Sequence, residues 1–299
     1  MKLSKTIALL LSCTLLLLTA GCGASPKPAP SAAPEVTSTP AVTATPEPTA
    51  TPEPTPTATP EPMFTNPLTG EQTYTDYSQT RPVAIMVENN HWDDGTLIAQ
   101  GGLSQADIVY EMQVESITRN MFLFMDTDGL NNVFPIRSAR SYFVSAALSY
   151  GAIFAHCGKS GEGLEFADTM LVNYTDADDI EVHEGSCGFR QYDAPYFGAV
   201  HSMTTTGERL QDLFAQYGTR TTHRTDGYDY GLHFTEDAAP VNGEAAGSIH
   251  IVFPTNKITD FSYDAEKGGY TSTQWNSAYT DGNTGESVVF ENVLVLYSP

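Results

Sequence analysis

Seven polar residues hold the chain's best prospects for chemistry: Asp107, Glu111, Glu115, Arg119, Arg137, Arg140 and His156. Side chains two and four apart point the same way along a strand. A strand over residues 106–114 would therefore align Asp107, Glu111 and Glu115 on one side, with Ile108, Tyr110, Met112 and Val114 on the other. The arginines are scarce cations, since Lys and Arg together number 14 against 36 Asp and Glu. Guanidinium forks hold carboxylates and phosphates through paired hydrogen bonds. Two readings follow. In one, Arg119, Arg137 and Arg140 bind an anionic group, and Glu111 or Glu115 works beside His156 as an acid/base pair. In the other, the same residues form an internal Arg–carboxylate network that braces the fold, because structural ion pairs look like sites in a sequence.

Other reactive residue types are less organised. His156-Cys-Gly-Lys-Ser160 offers Ser160 as a nucleophile, yet it forms neither a Gly-x-Ser-x-Gly elbow nor a phosphate-binding loop. His183 and Cys187 stand four apart near Asp176, Asp178 and Asp179. They make no paired-cysteine, His-Glu-x-x-His or complete calcium-loop pattern, so an acidic solvated turn is expected, with no metal and no cofactor. Residues 192–198, aromatic and glycine-rich, precede His201 and Ser202. They suit either a carbohydrate or peptide groove or ordinary core packing. Of four cysteines, Cys157 and Cys187 fall in the folded part. An exported chain permits a disulfide between them, and two buried thiols are the alternative.

Upstream of these residues the chain reads as an export signal and a tether. Lys2 and Lys5 precede an apolar run over residues 7–18, too short to span a bilayer comfortably, and small residues follow. This describes a signal peptide over residues 1–21. Thr19-Ala-Gly-Cys22 resembles the lipobox of bacterial lipoproteins, with Cys22 as the lipidated residue, although Thr19 stands where Leu is commoner. Two acyl chains on Cys22 would anchor the chain stably. Residues 22–62 form a Pro/Thr-rich linker that repeats Thr-Pro-Glu-Pro at 45–48, 51–54 and 59–62. It holds too little apolar surface to fold and favours an extended polyproline conformation.

The remainder divides by texture. Residues 63–245 read as an α/β (α+β) domain. The apolar run at 83–87 marks a buried strand, with further strands at 106–114, 121–125 and 152–155 and a helix over 141–150. Thr205 and Glu208 have capping-box spacing ahead of Leu210, Leu213, Phe214 and Tyr217, and Gly218 closes that helix. Residues 246–299 alternate as a smaller antiparallel β-rich domain. The stop at Pro299 directly after a strand reads as a truncated product, since an unfinished sheet leaves an open edge.

Several blocks carry a resemblance. Asn66-Pro-Leu-Thr-Gly70, Arg81-Pro-Val-Ala-Ile-Met-Val-Glu-Asn-Asn90, Gly102-Leu-Ser-Gln-Ala-Asp-Ile-Val-Tyr-Glu111, Ile117-Thr-Arg119 and Pro135-Ile-Arg-Ser-Ala-Arg140 match the YerB-type lipoproteins of Gram-positive bacteria. Phe261-Ser-Tyr-Asp264 and Glu291-Asn-Val-Leu-Val295 match as well. The family is defined by a domain of unknown function (DUF3048). This chain departs from it at residues 91–100, where His-Trp-Asp-Asp-Gly replaces the usual Arg-Pro. The resemblance implies architecture and an extracytoplasmic, membrane-anchored location. It implies no chemistry.

The formal net charge of -22 disfavours nucleic acid and anionic lipid as general partners. The expected role is a binding or accessory module of the cell envelope, not an enzyme. It would meet the membrane through Cys22 and a cell-wall component or envelope protein through its folded part. An envelope hydrolase or transferase using His156 with Glu111 or Glu115, and a solute-binding lipoprotein, are the alternatives.

Overall fold

The computed structural model describes residues 63–159, 179–191, 201–235 and 242–297, all within one compact unit. Its centre is the apolar run. Strand β1 (Val83–Asn89) is buried at every position, as a strand covered on both faces must be. It pairs antiparallel with β3 (Thr118–Phe124), which pairs antiparallel with β2 (Ile108–Gln113). On its other side β1 runs parallel to β4 (Ile153–His156), and β4 runs parallel to β5 (Asp179–Glu181). The sheet order is therefore β2-β3-β1-β4-β5.

Each face of this sheet buries its own core. Ala84, Met86, Met121, Leu123 and Phe154 point to the side covered by helix α1 (Ser141–Ser149) through Phe143, Val144 and Ala147. Val83, Ile85, Val87, Phe122 and Phe124 point to the opposite side, where helix α2 (Gly207–Tyr217) contributes Leu210, Leu213 and Phe214. Burying each large side chain stabilises the fold by about 1.5–3 kcal/mol relative to exposure. The period-3.6 spacing of the α2 residues is what lets one stripe reach the sheet while Glu208 and Gln211 face outward.

The cap of α2 lies one residue later than the sequence spacing indicates. Thr206, not Thr205, accepts a hydrogen bond from Arg209 N. Thr205 is fully buried and its hydroxyl donates to Cys187 O at 2.9 Å. Gly218 closes the helix in the left-handed conformation, φ 64°. Strand β2 also ends early. Val114 N donates to Ile117 O in a tight turn, so Glu115 lies beyond the strand and does not share the face of Glu111.

A second sheet is an antiparallel meander: β6 (Ser248–Val252), β7 (Ile258–Asp264), β8 (Gly269–Gln274) and β9 (Ser277–Ala278), with β10 (Val289–Phe290) also on β8. It contributes Tyr279, Val288 and Phe290 to the α2-side core. Polar side chains lock it to the first sheet. Asn120 Nδ2 donates to Tyr279 Oη at 2.6 Å, and Tyr279 Oη donates to Gln100 Oε1 at 2.8 Å. Gln100 Nε2 in turn donates to Asn89. Toward the end of the described residues the strand is confined to Val289–Phe290, and Leu294, Leu296 and Tyr297 are exposed.

Candidate anion-binding site

The site forms where the parallel strands β1 and β4 part. Their pairing covers Val83–Ile85 and Ile153–Ala155. Beyond it, residues 135–139 wedge between them, following the cis Phe134–Pro135 peptide. Glu88 N donates to Pro135 O and Arg137 N to Met86 O. On the other flank Cys157 N donates to Arg137 O and Ala139 N to Gly158 O. The Pro-Ile-Arg-Ser-Ala-Arg block thus carries its arginines to the carboxyl ends of parallel strands, the place where open sheets most often receive ligands.

Register supplies the third arginine. Arg119 lies directly opposite Glu88 across the β1–β3 pair, so both project to the α1 face of the sheet. Arg119 Nη1 donates to Ser138 O at 2.9 Å, and Arg140 Nη1 donates to the same oxygen at 3.2 Å. Arg140 also clamps Glu115 with two bonds, Nε to Oε1 at 2.6 Å and Nη2 to Oε2 at 2.9 Å. Arg137 Nε stands 3.0 Å from Glu88 Oε2, and His201 Nδ1 donates to that oxygen at 2.8 Å. Among the described residues, three guanidiniums therefore meet two carboxylates, Glu88 and Glu115.

The electrostatics follow from this imbalance. Burial, then repulsion from Arg140 and Arg137, pulls Arg119 down to about 10. The Arg140 fork pulls Glu115 down to about 2 against a small opposing effect of burial. A further anion would relieve the crowding around Arg119.

The structure thus brings Arg119, Arg137 and Arg140 together and separates the expected acid/base pair. His156 is fully buried on the α1 face. Its Nδ1 meets Gly158 O at 2.8 Å and its Nε2 meets Asp179 Oδ1 at 2.5 Å. Lys159 Nζ holds the other Asp179 oxygen at 2.8 Å. Burial raises the Asp179 carboxyl, but His156 and Lys159 outweigh it and leave it below the usual carboxylate range. Glu111 lies on the opposite face of the sheet, bonded to Lys257, Thr118, Thr259 and Asn89. Neither Glu111 nor Glu115 serves His156. Strand parity removes Glu111, and the early end of β2 hands Glu115 to Arg140.

Asp107 is likewise spent on structure, accepting from Met125 N and Asn66 Nδ2 at 2.6 Å each. Cys157 and Cys187 are free thiols, and burial pushes both upward. His183 Nδ1 accepts from Gly185 N. Ser160, Asp176, Asp178 and residues 192–198 lie outside the described residues. Among the described residues no group of three or more His, Cys, Asp or Glu side chains is placed to hold a metal. Sequence reasoning gave no role to Glu88 or Lys257, and Asp179, expected in a solvated acidic turn, lies instead in β5, bonded to His156 and Lys159. Glu88 had a readable signal, a carboxylate at the end of an otherwise apolar strand, which burial obliges to find cationic partners.

The description "Protein of unknown function (DUF3048) N-terminal domain" matches residues 68–220, just over half of the chain. The chain belongs to the DUF3048 family. It is 30% identical over 234 residues to the YerB protein of Bacillus subtilis (strain 168), which bears the name of a lipoprotein. That match covers 77% of this chain and 66% of the relative, so the chain spans just under two thirds of the curated relative's length. A crystal structure of YerB from Bacillus subtilis matches the fold with a TM-score of 0.60 at 26% identity, covering 76% of this chain and 72% of that one. The DUF3048 match contains Arg119, Arg137, Arg140 and their partners Glu88, Glu115 and His201. The fold is of the α+β class, rich in β-strands. Among the described residues no helix is long and apolar enough to cross a membrane.

Proposed function

We propose that this DUF3048 protein is a lipid-anchored, extracytoplasmic binding module of the cell envelope, and that its folded part holds an anionic group at Arg119, Arg137 and Arg140. The observation that carries the reading is the convergence of three guanidiniums, two of them on the Ser138 carbonyl, where the ion pairs among the described residues involve Glu88 and Glu115. In a chain of net charge -22, concentrating three of 14 basic residues at one point is a costly way to brace a fold. The lipoprotein name of the relative and the Cys22 segment support the anchor. The residues past Cys22 then act as a tether that carries the site away from the membrane surface.

Two measurements test the reading. Replacing Cys22 by Ser should move the chain from the membrane fraction of the producing bacterium to the soluble extracytoplasmic fraction. Unchanged membrane retention would sink the anchor. For the site, inorganic phosphate should raise the Tm of the full chain by mass action. Arg137→Ala, whose side chain is partly exposed, should keep the fold and lose that rise. An Arg137→Ala chain that unfolds, together with a wild-type chain indifferent to anions, would mean that the arginines only brace the fold.

A further inference from the structure

We propose that the anion held beside Arg137 is carried on a hydroxylated skeleton, as in a sugar acid or sugar phosphate. Glu88 and Arg119 would read one of its hydroxyls, and Trp92 would pack against the ring. This rests on the anion-holding reading above and names the class of ligand.

Two buried atoms carry the argument. Glu88 is 1% exposed. Its Oε2 engages Arg137 and His201, but its Oε1 is buried and takes no hydrogen bond from any described residue. Arg119 is 6% exposed. Its Nη1 is spent on Ser138 O, while its Nε is buried and gives no hydrogen bond to any described residue. The two residues are direct cross-strand partners, with Cβ atoms roughly 5 Å apart as such pairs are. One acceptor and one donor, both charged, thus stand on cross-strand neighbours with no partner among the described residues. Leaving buried charged groups unsatisfied is unfavourable.

A single group that satisfies both must accept and donate at once. A carboxylate or a phosphomonoester dianion accepts from Arg119 but has no proton to give Glu88. An ammonium donates to Glu88 but has nothing for Arg119. A hydroxyl accepts from one and donates to the other. Charge at Arg137 and a hydroxyl at the Glu88–Arg119 pair together describe an anion on a hydroxylated carbon frame.

The neighbouring aromatics fit the same class. Trp92 meets His201 edge-on at 5.1 Å between ring centroids, and His201 is the residue that bonds Glu88. Next to it His91 packs on Trp275 at 5.0 Å. Trp275 holds φ +46° at the β8–β9 turn, a conformation that bulky residues rarely adopt and that glycine or asparagine adopts easily. The Trp275 ring is taken up by His91 and by Lys257 Nζ at 4.9 Å, which leaves half-buried Trp92 as the ring at which the C–H face of a sugar can lie.

The test is calorimetric titration of the full chain in detergent micelles with glucuronate, glucose 6-phosphate, glucose, acetate and sulfate. Glucuronate or glucose 6-phosphate should bind about tenfold or more tightly than acetate or sulfate, the gain of one completed hydrogen-bond pair. Glucose should bind far more weakly than either. Trp92→Ala should reduce the affinity for the sugar-borne anion toward that of the plain anion. Plain anions binding as tightly as sugar-borne ones would overturn the hydroxyl reading while leaving the anion site standing, since solvent would then complete the pair. Glucose binding as tightly as glucuronate would also overturn it. No binding by any probe would overturn the anion-holding reading itself.

Discussion

At the scale of single residues, partners decide what each charged group does. Glu115 and Glu111 are alike in sequence, yet one is clamped by Arg140 on the surface and the other is sunk against Lys257 between two sheets. Glu115 has a folded value of about 2 against an ordinary 4.5. Its ionised form therefore stabilises the fold above about pH 4.5, and that contribution is lost as pH falls toward 2. The Glu115 side chain is 62% exposed, so solvent screening holds the contribution to about 1 kcal/mol or less. Glu115→Gln should lower stability slightly at pH 7 and flatten the acid limb of a urea-denaturation series between pH 4.5 and 2. An unchanged acid limb would mean the fork closes without stabilising the fold. His156 shows the same dependence on partners. Its buried ring meets a backbone carbonyl and a carboxylate, which suits it to hold β4 against β5 and removes it from the arginine cluster's chemistry.

At the scale of elements, close backbone approach overrides intrinsic preference. Gly207 opens α2, where alanine would normally be the better helix former by roughly 0.5–1 kcal/mol. A Cβ at that position would lie 1.8 Å from the Thr127 carbonyl oxygen and 2.9 Å from Leu130 Cβ. Gly207→Ala should therefore destabilise the chain by about 1–3 kcal/mol, read as a lower urea midpoint with an unchanged slope. A gain in stability would show that the 127–130 turn yields easily. The same turn logic explains the short β2. Sequence alternation continues through Val114, but the Val114–Ile117 hydrogen bond ends the ladder at Gln113. Alternation alone carries no information about where a chain reverses.

At the scale of the whole molecule, the two sheets share buried polar groups that neither can satisfy alone. Tyr279 is buried and its hydroxyl joins Asn120 and Gln100, while Glu111 meets Lys257 and Thr259 across the same boundary. Partners supplied from 146 and 159 residues away make the sheets mutually dependent. Urea unfolding should accordingly follow one transition, with far-ultraviolet dichroism coinciding with the fluorescence of Trp92 and Trp275. Tyr279→Phe should shift that whole transition down by roughly 1–3 kcal/mol. If the variant separates the signals into two steps, the meander folds as an independent unit.

The sequence alone determined the elements with strong local signals. β1 is legible as an unbroken apolar run because a strand buried on both faces has no polar side to show. α2 is legible because Leu210, Leu213 and Phe214 recur at helical spacing, and its end is legible because Gly218 tolerates the left-handed cap. The three arginines were visible as scarce cations. Which carboxylates they meet was decided only by tertiary structure. Glu88 comes opposite Arg119 through strand register and meets Arg137 through the wedge at residues 135–139, and His201 arrives from far along the chain. The exclusion of Glu111 and His156 from the cluster was decided in the same way. A sequence records residue types and local periodicity. Long-range pairing is set by how buried charges find partners once the sheet has closed, and no local spacing encodes that.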